Sequence, residues 1–423
     1  MPAHESNKQP RLWTNIFIRV GIVTALAGVC RQMYMSAFPQ YLADSGFSAT
    51  QMGLVASGYT IVAMITRILS GNLVDKKGRR SMCLLGLFLF GHPIVGFLFA
   101  NHMPMGALAM GLIVLFRMSQ GVGSSLTSIS TGTMAPDVLH PARMKEGIGY
   151  YGLFNNLATA VGPAMGIGML LAGESDKYFL FSLSMIVLAI PVAFSLNYEK
   201  KQPKAEPKVE EKPAEAVDTS NMTLLQKISA TLIYKKALPA AAIFALVSFS
   251  TTSVSNFVSP YATELGITVV GRFFTVQAFA MILARMSSGK IANKLGNFRT
   301  LQLGIGIDML AFVTLALMKN DMMLYAAAIL RGLGGGINMP ILNVLAVQTA
   351  SRENRGNATS TYYAAFDVGS GIGAAVWGVV ADMFGRPGAM VPGYRVVYAG
   401  AAVFYLITMG AAYLLIGRKE KEA

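Results

Sequence analysis

The side chains with the most chemistry to offer in this 423-residue chain are charges set inside long apolar runs: Asp308, Asp367, Arg31, Arg117 and Arg331. An arginine at the centre of such a run costs at least about 2.5 kcal/mol on insertion scales, so these groups face protein or water and not lipid. Desolvation favours a neutral carboxyl group and a nearby guanidinium favours the anion, so an embedded carboxylate loads and releases protons as its surroundings alternate. Asp367 stands about 11 residues into its run, about 16 Å deep if helical, and is the leading proton site. A permanent ion pair with an arginine is the alternative. Asp308 is nearer one membrane face and within reach of water. Arg31 stands about 16 residues into the first run, about 24 Å along a helix. It either snorkels to the far surface or lines a cavity with Arg117. No acid appears in the core of the first four runs, so these two arginines make a positive interior suited to an anionic or partly anionic solute.

Tyr34, Asn155, Asn156, Asn256, Gln277, Asn338 and Asn343 are further cavity candidates, although some such groups only join helices by hydrogen bonds. His92 is a second proton-carrier candidate. The 26 methionines suit either a pliable binding surface or ordinary filling of gaps. Enzyme chemistry finds little footing. The sequence has no G-x-x-x-x-G-K-[ST] phosphate loop, and the glycine-rich pieces Gly332–Gly336 and Gly369–Gly373 lie in apolar helices, where they read as contacts. No Cys/His set has metal-binding spacing, and Cys30 and Cys83 lie in apolar segments. Neither a metal nor a cofactor is expected.

What positions these groups is a membrane. Hydrophobic residues make up 53% of the chain and charged ones 13%, with mean hydropathy +0.50, against roughly 25% charge in soluble domains. The sequence therefore predicts an all-α polytopic protein with twelve transmembrane helices, near 15–38, 50–72, 81–100, 104–127, 146–172, 178–197, 236–258, 269–291, 300–318, 322–346, 357–383 and 394–416. Met1–Trp13 is polar and unlike a cleavable signal, so the first run is expected to stay as a helix. The net charge of +14 follows topology and not nucleic acid, because the cations flank apolar runs. Lys8, Arg11, the 76–80 cluster, Arg143, Lys145, the 200–236 segment, Lys294, Arg299, Arg352, Arg355, Arg418, Lys419 and Lys421 fall on one face. The other face holds little: Asp44, His102, Lys177, Glu264, Lys319, Arg386 and Arg395. The first face is thus expected to be cytoplasmic, with both termini, in a plasma membrane such as the bacterial inner membrane.

The expected division is a cytoplasmic N-terminus (1–14), a six-helix bundle (15–197), a cytoplasmic linker (198–235), a second six-helix bundle (236–416) and a cytoplasmic tail (417–423). Glu199–Asp218 is rich in Lys, Glu, Pro and Ala and cannot bury a core; residues 222–233 have the spacing of a short surface helix. The bundles repeat. Arg67-x-x-x-Gly71-x-x-x-Asp75-Lys76-x-Gly78 recurs as Arg285-x-x-x-Gly289-x-x-x-Asn293-Lys294-x-Gly296. Arg117-x-x-x-Gly121 recurs as Arg331-x-x-x-Gly335, and Tyr150-Tyr151-x-x-Phe154 as Tyr362-Tyr363-x-x-Phe366. The second copy is degraded, with Asn293 for the acid and Asn297-Phe298 for Arg79-Arg80.

Gly71-Asn72-Leu73-Val74-Asp75-Lys76-Lys77-Gly78-Arg79-Arg80 resembles the loop 2–3 signature of the major facilitator superfamily, G-x-L-x-D-[RK]-x-G-[RK]-[RK]. The resemblance implies two pseudo-symmetric six-helix bundles around a cavity that opens alternately to either face. It implies that Arg67, Gly71, Asp75, Lys76, Gly78, Arg79 and Arg80 form a gate in which Asp75 caps the eleventh helix; simple anchoring of the loop is the alternative. Ile113-x-x-x-Arg117-x-x-Gln120-Gly121-x-Gly123 is similar to the family's fourth-helix motif and implies proton transfer at Arg117, with a structural arginine as the alternative. Gly149, Gly162, Pro163 and Gly166 resemble the antiporter motif of drug–proton exchangers, from which Ala158 and Ile167 depart; generic close packing also fits them. Arg31, Tyr34, Arg117, Asn256, Arg331, Asn338 and Asn343 are the candidate cavity residues, and Asp367, Arg117 and Asp308 the candidates for proton coupling. Together with Phe38-Pro39-x-Tyr41-Leu42, the motifs look most like drug/proton antiporters and arabinose-efflux-type permeases. The expected function is proton-coupled efflux of a small organic molecule or drug through the lipid bilayer by a protein working as a monomer. The alternatives are an organic-anion importer or exchanger using Arg31 and Arg117, and, remotely, a non-transporting membrane sensor.

Overall fold

The computed structural model describes residues 11–104, 106–197, 234–348, 350 and 354–417. The expected linker and surface helix therefore lie almost wholly outside the described residues, as do Lys8, Arg352, Arg418, Lys419 and Lys421. Twelve long helices follow one another: α1 (Asn15–Asp44), α2 (Ala49–Lys77), α3 (Arg79–Asn101), α4 (Ala107–Asp137), α5 (Met144–Leu171), α6 (Ser175–Phe194), α7 (Leu238–Glu264), α8 (Val270–Leu295), α9 (Asn297–Ala316), α10 (Asp321–Val347), α11 (Arg355–Phe384) and α12 (Val391–Ala412). There is no β-strand among the described residues. Ten of the twelve are long and apolar enough to cross a membrane. The other two, α4 and α8, carry polar residues in their interiors: a series of Ser and Thr from Ser119 to Thr133 in α4, and Arg272, Arg285 and Lys290 in α8.

Local sequence sets the ends. Thr14 caps α1 by accepting the Phe17 amide at 3.2 Å. Ser48 and Gln51 form a reciprocal capping box at the start of α2. α1 breaks at Ala37, where Pro39 lacks an amide hydrogen and crowds the carbonyl four residues before it. The expected helices near 50–72 and 81–100 leave 73–80 as a connection, and the stretch 71–80 reads as turn and charge; the structure differs. The stretch is not a ten-residue turn, because α2 continues to Lys77 and α3 starts at Arg79, so the turn is Gly78 alone. Gly78 has φ 89°, and its repeat partner Gly296, between α8 and α9, has φ 81°; both are backbone states that glycine tolerates best. Long basic side chains can reach water from a helix end, so charge does not force the helix to stop.

The packing repeats as the sequence does. In the first half α1 packs on α5 and α6, α4 on α2 and α3, and α3 on α6. In the second half α7 packs on α11 and α12, α10 on α8 and α9, and α9 on α12. The halves meet through α2 against α11 and α5 against α8. The turn at Gly78 and its equivalents define a basic end of the bundle. The halves close on one another at the opposite end. There a Cβ on Gly53 would lie 2.2 Å from the Ala374 carbonyl oxygen, and one on Gly378 would lie 2.4 Å from that of Ala49. Gly53→Val is therefore expected to part α2 and α11 by more than an ångström there, readable as a lengthened spin-label distance between their ends; an unchanged distance would contradict this packing.

Candidate functional site

A cavity of about 470 Å³ lies between the halves, within the range of about 300–1,000 Å³ typical of small-molecule sites. Arg31, Arg67, Arg117 and Asp367 line it, with an apolar wall that includes Phe244 and Phe366. An adjoining space of about 290 Å³ extends into the second half and reaches Gln277, Arg285, Arg331 and Asn338. A side pocket in the first half meets the central cavity at Arg31 and Ser124, and is lined further by Thr131, Tyr151 and Asn155.

Arg67 and Asp367 form an ion pair across the halves, α2 to α11. Both residues are singled out by the sequence, one as part of a gate and the other as a proton site, but they are 300 positions apart and nothing in the sequence joins them. The repeat shows that the acid of this pair belongs to one half only. Tyr362-Tyr363-x-x-Phe366-Asp367 aligns with Tyr150-Tyr151-x-x-Phe154-Asn155, and Arg67 aligns with Arg285. At the position equivalent to Asp367, α5 thus has an asparagine, Asn155.

The two fourth-helix arginines sit in opposite electrostatic settings. Arg331 donates to Asp308 at 2.6 Å and to Thr251 at 2.9 Å; Asp308 also accepts from Asn338 at 2.7 Å and from Tyr405 at 3.4 Å. The Arg331 and Asp308 side chains are 5% and 0% exposed, so Asp308 does not reach water as its sequence position suggests. Removing one member of a buried pair strands the other and costs about 3–5 kcal/mol. Asp308→Asn is expected to lower the thermal unfolding midpoint of the purified protein by many degrees, and Asp308→Asn with Arg331→Met to recover part of the loss. A midpoint equal to the unsubstituted protein's would contradict a structural pair.

Arg117 has no acid. Its Nη1 donates to Gln120 at 2.7 Å and its Nη2 to the Tyr34 carbonyl at 3.3 Å. The guanidinium lies 4.2 Å from the ring centre of Tyr59, 5.0 Å from Phe38 and 5.6 Å from Tyr34. Tyr34 itself is fully buried behind the cavity wall.

At the basic end, Arg79 pairs with Asp137 and also donates to the Thr133 carbonyl at 3.4 Å. Arg80 donates to Asn197 and lies over the Phe194 ring at 4.5 Å. The side chains of Asp75 and Lys76 and the surroundings of Gly71 lie outside what is described, and with them the expected cap of α11 by Asp75. At the opposite end the sequence reading missed a residue. Asp382, near the end of α11, accepts the amides of Ala49 and Thr50 at 3.0 and 2.8 Å and so caps α2 across the halves. The signal was present: Gly378-x-x-x-Asp382-x-x-Gly385-Arg386 has the spacing of Gly71-x-x-x-Asp75-x-x-Gly78-Arg79. Beside it, Gln40 accepts from Ser259 at 2.9 Å and from Thr263 at 3.3 Å, again across the halves.

The remaining candidates divide. Asn256 lines the central cavity and donates to the Thr252 carbonyl at 2.8 Å. Asn343 is half-buried and outside these cavities, and the Asn156 side chain lies outside the described residues. His92 stacks on Phe88, away from the cavity. In α5, a Cβ on Gly162 would lie 2.7 Å from the Val29 carbonyl oxygen, and one on Gly166 would lie 2.9 Å from Ala37, so both serve the contact with α1. Pro163 borders a small pocket between the halves, and Gly149 faces open space.

The family model of the Major Facilitator Superfamily matches residues 20–344 and 309–423, and the chain belongs to this superfamily of membrane transporters. Among curated proteins it is similar to the staphylopine export protein of Staphylococcus aureus, 23% identical over 376 residues, covering 87% of this chain and 90% of the relative. It is also similar to the MFS-type transporter YhhS of Escherichia coli, 23% identical over 392 residues, covering 92% and 88%. Among solved structures the fold matches the nucleoside transporter NupG with TM-score 0.75 at 12% identity, covering 95% of this chain and 99% of that one. It matches an inward-facing bacterial homologue of the lysosomal transporter Spinster with TM-score 0.72 at 13% identity, covering 95% and 96%. The protein is a transporter and not an enzyme.

Proposed function

We propose that the chain exports a small organic molecule in exchange for protons, by alternating access, as a monomer in the plasma membrane (a bacterial inner membrane) with its basic end and both termini cytoplasmic. The observation that carries this reading is the Arg67–Asp367 ion pair, which spans the two halves on the wall of the central cavity. Its exposure decides its role. Arg67 is 41% exposed and Asp367 9%, so solvent reaches the arginine and weakens this pair relative to one that is wholly buried. A proton on Asp367 can release it. The Arg331–Asp308 pair is wholly buried, costs more to break and lies within the second half.

In this reading a proton taken up by Asp367 frees α2 from α11 and lets the halves, 15–197 and 236–416 joined by the 198–235 linker, rock about the cavity. Asp382 holds the opposite end closed through the amides of α2, and by family resemblance Asp75 holds the basic end closed in the other state. The outward direction rests on the likeness to an export protein and on the glycine–proline series of α5. Proteoliposomes bearing the full chain, supplied with a defined panel of organic solutes, test it. Accumulation of a solute against its gradient only under an imposed pH difference is the expected result. Accumulation indifferent to pH in either direction would remove proton coupling from the account.

A further inference from the structure

The geometry points to the chemical class of the cargo: an amphipathic organic anion, carrying one or two negative charges on carboxylate or phosphate groups, held by Arg31 and Arg117. This rests on the transporter reading above. Arg117 is 5% exposed, yet it lines the central cavity and is paired with no acid among the described residues. Its two acceptors, the Gln120 side chain and the Tyr34 carbonyl, are neutral. The rings of Tyr59, Phe38 and Tyr34 attract a cation but cancel no charge. A desolvated ion without a counter-ion costs several kcal/mol. The same chain meets that cost at the equivalent place in its second half, where Asp308 neutralises Arg331. Packing alone therefore does not explain why Arg117 stands without an acid.

Arg31 makes the case independent of Arg117. It is half-buried on α1 and borders both the central cavity and the side pocket, and no described residue gives it a hydrogen bond or an ion pair. The cavity wall thus carries three guanidiniums, Arg31, Arg67 and Arg117, against one carboxylate, Asp367, a formal excess of two positive charges. The guanidinium fork matches carboxylate and phosphate oxygens in a two-bond geometry that halides and quaternary ammonium ions cannot use. Phe244, Phe366 and Met339 of the second half, with Met35 one turn from Arg31 on α1, offer an apolar surface for the body of the solute.

The test uses proteoliposomes of the full-length protein in a defined mixture of mono-, di- and tricarboxylates, sugar phosphates, neutral amino acids and quaternary ammonium cations, with contents read by mass spectrometry. Carboxylates or phosphates should accumulate and the cations should not. Arg31→Gln and Arg117→Gln should each lower that accumulation about tenfold or more, the loss of a charged hydrogen bond, while Arg117→Lys retains part of it. Unfolding midpoints show that the variants are folded, and Arg31→Gln, which removes no internal partner, keeps the test valid if Arg117→Gln does not fold. Accumulation of cations or neutral solutes that survives both substitutions overturns the anion assignment and leaves transport standing. If nothing accumulates in the unsubstituted protein, the transporter mechanism and the cargo class fall together.

Discussion

Asp367→Asn is expected to abolish accumulation driven by a pH difference while leaving counterflow exchange of the same solute intact. One pH unit is worth about 1.4 kcal/mol, so one proton exchanged per solute sustains about a tenfold concentration ratio, and the variant should relax to a ratio of about one. The asparagine keeps the size of the side chain and can still accept from Arg67, so the halves should still fold and dock. What it loses is the ability to alternate between charged and neutral forms. Counterflow needs no net proton movement and serves as the control. If both activities vanish and the unfolding midpoint drops, Asp367 is a structural partner of Arg67. If pH-driven accumulation is unchanged, the proton travels elsewhere.

Asp382→Ala should open the end that this structure holds closed. The carboxylate satisfies two amides at the start of α2 from the end of α11, and a cap of this kind contributes about 1–2 kcal/mol. Its loss should shift the population toward the state open at that end by a factor of about five to thirty. A cysteine replacing Ser259, which is 1% exposed at this seam, reports the shift through its reaction with a membrane-impermeant maleimide. The labelling rate should rise by the same factor in Asp382→Ala and stay low in Asp382→Asn, whose amide oxygen still accepts. Equal rates in all three proteins would mean that the glycine contacts at Gly53 and Gly378, and not the cap, keep this end shut.

The fold was legible because a bilayer makes hydropathy decisive: twelve apolar runs became twelve helices, and the repeated arginine and tyrosine motifs matched the repeated packing. Helix ends were less so. α2 runs on to Lys77 because a charged residue at a membrane edge does not oppose helix, and only Gly78 breaks it. The charges of the site were visible one by one, since an arginine or aspartate in an apolar run is costly wherever it occurs. Their pairing was not. Asp308 and Arg331 are 23 residues apart on neighbouring helices, and Arg67 and Asp367 belong to different halves; both pairings depend on rotations about helix axes that a list of residues does not contain. Tyr34 shows the converse, a polar residue near the cavity that faces the other way and packs among Phe97 and Tyr178. Asp382 could have been found, because its glycine and arginine spacing copies the 71–79 stretch, but it lies at the far end of its helix from where the repeat led.

The most direct test of the central claim is simultaneous measurement of solute and proton flux in one proteoliposome preparation, using an entrapped pH indicator beside mass-spectrometric solute counts. The account predicts that solute movement drives a stoichiometric opposite proton movement, and that Asp367→Asn carries solute in counterflow with no proton signal. Solute movement against its gradient without a proton signal in the unsubstituted protein, or an undiminished proton signal in Asp367→Asn, would contradict it.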